Sequence, residues 1–250
     1  ANLDTSQLIW NGGGEIFTQT ASHTVRGTGR IYVRFDNLGS IRADVPGRVL
    51  EITSGNAKTN RNLIQAENGG TLSLNGVNLT QTATGQVRAQ GGTVSLINSN
   101  FTEGSLVSTS NSDLFTVDGT VTFNGIYNAT QMRVSAGASL RASGSFTNAG
   151  NIVINATAAN AGTLFAANTS LTVDGPGRFL LNANAANLDT AQLVWNGGGE
   201  VLTNGPQHTI AGTGRLYVRT TNQGTLAPGN GQDSIGLLDL RTVMNCTSTS

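Results

Sequence analysis

The sequence predicts an all-β chain folded as a single-stranded right-handed parallel β-helix of about eleven coils, and three observations carry that expectation. The composition suits turns and strands, the chain repeats itself on two length scales, and its apolar residues come in short alternating runs.

The 250 residues include 33 Gly, with only 11% charged and 5% aromatic residues. Ordinary soluble domains carry roughly 25% charged residues and roughly 7% Gly. Asn, Thr, Ser and Gln fill the polar positions instead, which favours stacked strands, tight turns and amide or hydroxyl ladders over helices. Almost no helix is expected. Fourteen basic and fourteen acidic residues cancel and lie scattered, so no electrostatic footprint for nucleic acid is present. Lys58 is the sole lysine, the other positive charges being arginines. No apolar run approaches the roughly 20 residues of a membrane span, so no membrane insertion of this segment is expected. The chain opens at Ala1 without Met or signal peptide and reads as a processed or excised piece.

The long repeat begins with Asn2-Leu-Asp-Thr-Ser-Gln-Leu-Ile-Trp-Asn-Gly-Gly-Gly-Glu15, which returns late in the chain as Asn187-Leu-Asp-Thr-Ala-Gln-Leu-Val-Trp-Asn-Gly-Gly-Gly-Glu200. It continues through His23-Thr-Val-Arg-Gly-Thr-Gly-Arg-Ile-Tyr-Val-Arg34 and His208-Thr-Ile-Ala-Gly-Thr-Gly-Arg-Leu-Tyr-Val-Arg219, with about 24 of 39 positions identical. Most replacements exchange one aliphatic residue for another or alter a turn, as a fixed core face with free turns requires. The expected organisation is one continuous solenoid over 1–250, with one long unit at 1–186 and the opening of a second at 187–250.

A shorter period lies inside the long one. Gly69-Gly-Thr-Leu-Ser-Leu74 and Val77-Asn-Leu-Thr80 recur as Gly91-Gly-Thr-Val-Ser-Leu96 and Ser99-Asn-Phe-Thr102, a step of about 22 residues suited to one coil. Looser echoes follow at Gly119–Phe123, Ala138–Leu140, Gly150–Ile154, Gly162–Phe165 and Ser170–Val173, each bounded by Gly, Asn or Asp. A strand of this kind cannot bury its apolar side alone. Stacked in parallel, successive coils share one core and satisfy each other's backbone ladders, giving a rod on the order of 50 Å. A β-sandwich competes as an architecture, but it does not require coil-length periodicity.

These residues resemble the large secreted β-helical repeat proteins of bacteria, the autotransporter passengers and filamentous-haemagglutinin-like adhesins. The best local motif is Gly224-Thr-Leu-Ala-Pro-Gly-Asn230 followed by Ser234-Ile-Gly-Leu-Leu238, which is similar to a Gly-x-Leu-x-Pro-Gly-Asn-Ser-Ile-Gly-x-Leu stretch of autotransporter passengers with Gly231-Gln-Asp233 inserted. His-Thr-Ile/Val-x-Gly-x-Gly at His23 and His208, and Phe146–Val153, are weaker echoes. The C-terminal membrane barrel and the Asn-Pro-Asn motifs of such systems are missing. The resemblance implies a bacterial, secreted or cell-surface location and an adhesive or structural role. Because β-helices also carry lyases and phage spikes, fold alone does not assign function.

The chemistry-bearing residues point away from an enzyme. His23 and His208 occupy one place in the two copies, and neither has a consistently placed acid or base partner. Asp4 and Asp189 are read as turn-bonding residues. Gly12-Gly-Gly-Glu15 and Gly27-Thr-Gly-Arg30 are read as coil corners, since no helix follows them to bind a phosphate. The calcium-binding Gly-Gly-x-Gly-x-Asp pattern is absent, and no metal or cofactor is expected. Asp113, Asp118 and Asp174 are expected in separate coils or turns, from which they could in principle meet on one face as the carboxylate pairs of glycosidases and lyases do. Regular Thr-x-Thr ladders of the ice-binding kind do not recur once per coil. Trp10 and Trp195 are read as core or end-cap packing. Cys246, the lone cysteine, excludes an internal disulfide.

The surface pattern that stands out is Arg30-Ile-Tyr32-Val-Arg34, repeated as Arg215-Leu-Tyr217-Val-Arg219. Strand alternation turns Arg30, Tyr32 and Arg34, with Arg215, Tyr217 and Arg219, to one side and Ile31, Val33, Leu216 and Val218 to the core. That side suits sugar stacking, a carboxylate of a neighbouring chain, or plain solvent. The sequence therefore reads as an extracellular structural or adhesive module whose partners are other copies of itself, stacked head to tail, or surface glycans and cell-surface receptors. The alternative is a carbohydrate-binding or polysaccharide-degrading β-helix of the phage-spike or lyase kind.

Overall fold

The computed structural model describes residues 6–9, 14–155, 162–166, 169–184, 187–195, 197–229 and 236–246, with residues 155 and 162–166 through their backbone alone. Among these residues nearly all regular structure is parallel β, and the helical content is one 3-10 turn, Leu188–Thr190. The chain is a β-solenoid of about ten turns. It divides into two compact units, Ala1–Thr116 and Val117–Ser250.

Each full turn contributes three strands, one to each of three faces. In the first unit one turn runs through Thr71–Asn75, Asn78–Gln81 and Gln86–Gln90. Its apolar residues alternate with polar ones, so one side of every strand faces the interior. Register then stacks like on like. Leu50, Leu72 and Val94 form one column, Ile52, Leu74 and Leu96 a second, and Ile41, Ile64, Val87 and Leu106 a third on another face. All are buried. At about 1.5–3 kcal/mol for each large aliphatic side chain, these columns are the main stabilising term.

The coil step is uniform where the sequence shows it best, as in Leu50↔Leu72↔Val94. Elsewhere Val25 stacks on Ile41, Val87 on Leu106, and in the second unit Ile152 on Phe179 and Phe179 on Ile210. Strand length is held by core packing, whereas corner loops lie outside it and vary freely. That is why the short period fades towards the C-terminus of the sequence.

One corner of the first unit keeps the same step through Gly47, Gly69 and Gly91, at φ +64°, +75° and +70°. A left-handed residue is required there to turn the chain, and glycine supplies it without a Cβ clash. The corner amides run from coil to coil, Gly47 N–H donating to Gly69 O at 2.9 Å and Gly69 N–H to Gly91 O at 2.5 Å. The next position in the run is Asp113, whose Oδ1 accepts from Gly91 N–H at 2.6 Å. A buried carboxylate thus ends a row of glycine amides.

In the second unit the corresponding columns are Met132, Ile152, Phe179 and Ile210 on one face and Leu140, Leu164, Leu193 and Leu216 on another, as strand register places them. Phe123, Phe146 and Phe179 follow one another in the interior, with centroids 6.1 and 6.3 Å apart. Asp4, Trp10, Gly12 and the insertion at 231–233 lie outside the described residues.

Candidate functional site

The long repeat is reproduced in backbone register. In the first copy Gln7 pairs with Arg30, Ile16 with Arg34 and Thr24 with Ser40; in the second Gln192 pairs with Arg215, Val201 with Arg219 and Thr209 with Thr225. Each second pair is the first displaced by one long repeat at both members. The local path differs in one respect. Gly27 and its equivalent Gly212 both have positive φ, +119° and +103°, but Thr24–Arg26 is separate from Gly29–Ile31, where Gly29 has φ +126°, whereas Thr209–Leu216 runs unbroken and pairs with two strands of the preceding coil and two of the next.

Arg30 sits on Gly29–Ile31, and its guanidinium meets Glu51, its register partner on the next coil, at 2.7 Å. Glu51 also accepts from Asn75 at 3.0 Å. Arg215 repeats this with its own register partner Asp239, at 3.0 Å. It gains a second carboxylate, Asp189, at 2.5 Å, and donates to the Tyr217 hydroxyl at 3.0 Å with its guanidinium 5.6 Å from that ring centre. Tyr217 in turn donates to Asp189 at 3.2 Å, Gln192 donates to Asp189 at 2.8 Å, and Arg241 meets Asp239 at 2.6 Å. The hydrogen bond to Tyr217 and the contact with Asp189 hold Arg215 above the ordinary guanidinium range. Desolvation pushes the Asp239 carboxyl up, but Arg241 and Arg215 outweigh it and leave it below the usual carboxylate range.

Arg30, Tyr32 and Arg34 do not share a strand, and neither do Arg215, Tyr217 and Arg219. The chain leaves one face after Ile31 and after Leu216, and Arg34 and Arg219 open the strands Arg34–Asn37 and Arg219–Asn222 on the next face. The apolar partners Ile31, Val33, Leu216 and Val218 are all buried. Tyr32 and Arg219 are exposed, and Arg34 donates to Gly14 O at 3.3 Å. A corner therefore separates the outer arginine of each triplet from the inner one. The inner arginines already hold carboxylates of their own chain.

The other sequence candidates resolve into structure as well. Asp189 lies in the 3-10 turn that Asn187 caps, and its carboxylate serves Arg215 rather than the turn. Asp113 accepts from Thr109 N–H and Oγ1–H, Ser110 N–H and Gly91 N–H. Burial pushes its carboxyl up, and these donors outweigh that and hold it below the ordinary range. Asp174 accepts from Gly175 N–H at 2.8 Å. Trp195 is 37% exposed, more open than core packing demands, and His23 is exposed. Among the described residues no group of three or more His, Cys, Asp and Glu could hold a metal ion.

What sequence reasoning missed is the polar interior. In the first unit Asn37 donates to Asn60 at 2.8 Å, Asn60 to Gln81 at 3.1 Å and Gln81 to Glu103 O at 3.2 Å, an amide ladder threaded along one buried corner. The second unit has its own, in which Asn128 donates to Asn148 at 2.8 Å and Asn204 to Asn222 at 2.7 Å. His208 joins Asn148 to Asn204 and is wholly buried, with Phe179 edge-on at 4.6 Å. Burial, opposed by the charge of Asp174, pushes its pKa down to about 4. A signal was present in the Phe35-x-Asn37-x-Gly39, Phe146-x-Asn148-x-Gly150 and Thr220-x-Asn222-x-Gly224 spacing, where an amide just past a core position stands before a corner glycine.

Lys58 also faces inward, in the column Phe35, Lys58, Leu79 and Phe101. Its ammonium is carried to the corner, where it donates to Ser54 O, Ser54 Oγ and Asn56 O at 2.9, 2.9 and 3.1 Å. Burial lowers its pKa to about 8.

No protein-family model matches the chain, and no curated protein matches it. Among solved structures, the chain is similar to the crystal structure of a TibC-catalyzed hyper-glycosylated TibA55-350 fragment, at 16% identity over 94% of this chain and 98% of that one, with a TM-score of 0.23.

Proposed function

We propose that the chain is an extracellular structural or adhesive β-solenoid module without enzymatic activity, and that copies of it stack head to tail through their end coils. The observation that carries this reading is the repeated register: Gln192–Leu193, the equivalent of Gln7–Leu8, packs on a further coil at Gly162–Ala166, so the first coil presents a surface that a coil of this chain covers in the second copy. Parallel stacking needs no new chemistry, because an end coil offers a ladder of N–H and C=O groups and a half-covered core to a coil of the same kind.

The engagement of Arg30 by Glu51 and of Arg215 by Asp189 and Asp239 weighs against the carbohydrate-binding alternative, since those guanidiniums are not free to grip an acidic sugar. Sedimentation velocity over a hundredfold concentration range, with negative-stain microscopy of the same samples, tests the proposal. Rods that lengthen in whole multiples of one subunit are expected. Monodisperse single rods at the highest concentration would overturn the stacking. Glycan binding by the native chain that is lost on changing Tyr32→Ala together with Tyr217→Ala would favour the alternative.

A further inference from the structure

We infer that His208 is an acid-sensitive latch in the second unit, which holds its coils together only while the imidazole is neutral. The geometry starts from a coil that lacks an amide. Asn128 and Asn148 are register partners on successive coils, but the next coil places Val173 opposite Asn204 and leaves Gly175 beyond Asp174, the partner of Thr147. A Cβ at Gly175 would come within 2.7 Å of Asn148 O, so no side chain can stand there. His208, from the corner after Val201–Asn204, crosses that gap and continues the ladder in its place.

Hydrogen-bond direction then fixes one protonation state. Asn204 Nδ2 donates to Asn222 Oδ1, Thr225 O and His208 O, so its Oδ1 faces the imidazole as an acceptor, 2.7 Å from Nδ1. Nδ1 must carry the proton. On the other side Asn148 Oδ1 is occupied by Asn128 Nδ2–H and Gly150 N–H, so Asn148 Nδ2 faces Nε2 at 3.0 Å as a donor. Nε2 must be bare. Protonation would set Nε2–H against N–H in a site without water access. Turning the Asn148 amide would cure that clash only by stranding Gly150 N–H and confronting Asn128 Nδ2, whose own Oδ1 is held by Thr130 at 2.7 Å. The charged group that bears on the ring is Asp174, which favours the cation, while Asn148, Asn204 and the Phe179 ring pack against it uncharged. Burial outweighs Asp174, consistent with a pKa near 4.

The first unit contains the contrast. Its ladder of Asn37, Asn60 and Gln81 has no titratable member, and His23, which aligns with His208, is exposed and meets the corner through its backbone, its N–H donating to Thr20 O and its carbonyl accepting from Gln19 and Ser40. Acidification is therefore expected to open the two units unequally.

Nitrogen-15 NMR of the imidazoles and hydrogen exchange, corrected for intrinsic rates, test the inference in the native chain. His208 is expected to remain the neutral Nδ1–H tautomer down to pH 5. Below its titration the amides of Gly177 and Gly205, which donate to Asn148 O and Val173 O, should lose protection about tenfold per pH unit, while Thr82 N–H on Asn60 O keeps its own. In His208→Gln, whose amide can accept and donate at once, the acid loss should vanish. An Nε2–H tautomer, titration near 6.5, parallel loss in both units, or an unchanged acid profile in His208→Gln would each overturn the latch.

Discussion

Lys58 and Ser54 form a closed corner in the first unit, the ammonium donating at 2.9 Å to both the carbonyl and the hydroxyl oxygen of one residue. Ser54 is held at φ +84°, a strained backbone for a residue with a Cβ, and the lysine's hydrogen bonds help hold it there. The arrangement inserts a charged side chain into the middle of an apolar column and carries its ammonium out to the corner, which has a measurable consequence.

The folded-state pKa of Lys58, about 8, lies below the 10.5 of an exposed lysine. Below pH 8 both states are protonated and the full cost of burying the charge is present. Between 8 and 10.5 the unfolded chain binds more protons, so stability rises with pH, by about 2 kcal/mol across the window once solvent screening at the corner is discounted. Urea unfolding midpoints in Lys58→Met should show this alkaline rise abolished. An equal rise in the variant would assign it to other groups.

Asp113 is expected to matter as much at the opposite end of the pH scale. Its depressed pKa means that its stabilisation is complete above the unfolded carboxyl value and is lost as pH falls through the lower folded value. Asp113→Ala leaves the Gly91, Thr109 and Ser110 donors without their acceptor and should cost about 3 kcal/mol at pH 7. Asp113→Asn should cost less, because one carbonyl oxygen remains. Chemical denaturation of both variants across falling pH checks the order, and the gap between wild type and Asp113→Asn should narrow as the carboxyl protonates while Asp113→Ala stays the least stable.

The amide ladder makes a sharper distinction at Asn60. Asn60→Asp can still accept from Asn37 but cannot donate to Gln81 Oε1 or Gln86 O, and it places a charge in the core. It should destabilise more than Asn60→Ala, for which about 2 kcal/mol is expected. Thermal unfolding should rank wild type, Ala and Asp in that order at pH 7, with the Asp variant recovering at pH 4 as the carboxyl protonates. Equal stability of all three would mean that the ladder contributes nothing.

The exposed network around Arg215 should contribute little by comparison. Asp189 is about half exposed, and Asp189→Asn is expected to cost under about 1 kcal/mol and less still in 1 M salt. Arg215→Ala should cost more, since its stem packs beneath two carboxylates and a tyrosine ring. Guanidinium chloride would screen the effect, so urea titrations at low and high salt are the appropriate measurement.

Residues such as Leu72, Leu74, Leu79 and Val87 were legible as core from alternation alone, and Gly69 and Gly91 as corners from their regular spacing. The same alternation did not reveal that the chain bends at Val33 and Val218, because a corner can keep apolar side chains inward while the strand direction changes. It placed Arg30 and Arg34 on one side when a face boundary lies between them. Nor could it show that Glu51 and Asp239 answer Arg30 and Arg215, since those partners come from the next coil, at sequence separations of 21 and 24.

The sequence by itself determined the coil: parallel stacking follows from short alternating strands that cannot bury their apolar side alone, and the long repeat follows from the same core residues recurring in the same order. Only the tertiary structure decided which polar residues go inside. His208 and His23 stand in nearly identical sequences, yet one is sealed between two asparagines and the other faces solvent. His208 is held by Asn148, 60 residues earlier in the chain, and contacts between coils are not written in the residues on either side of a histidine.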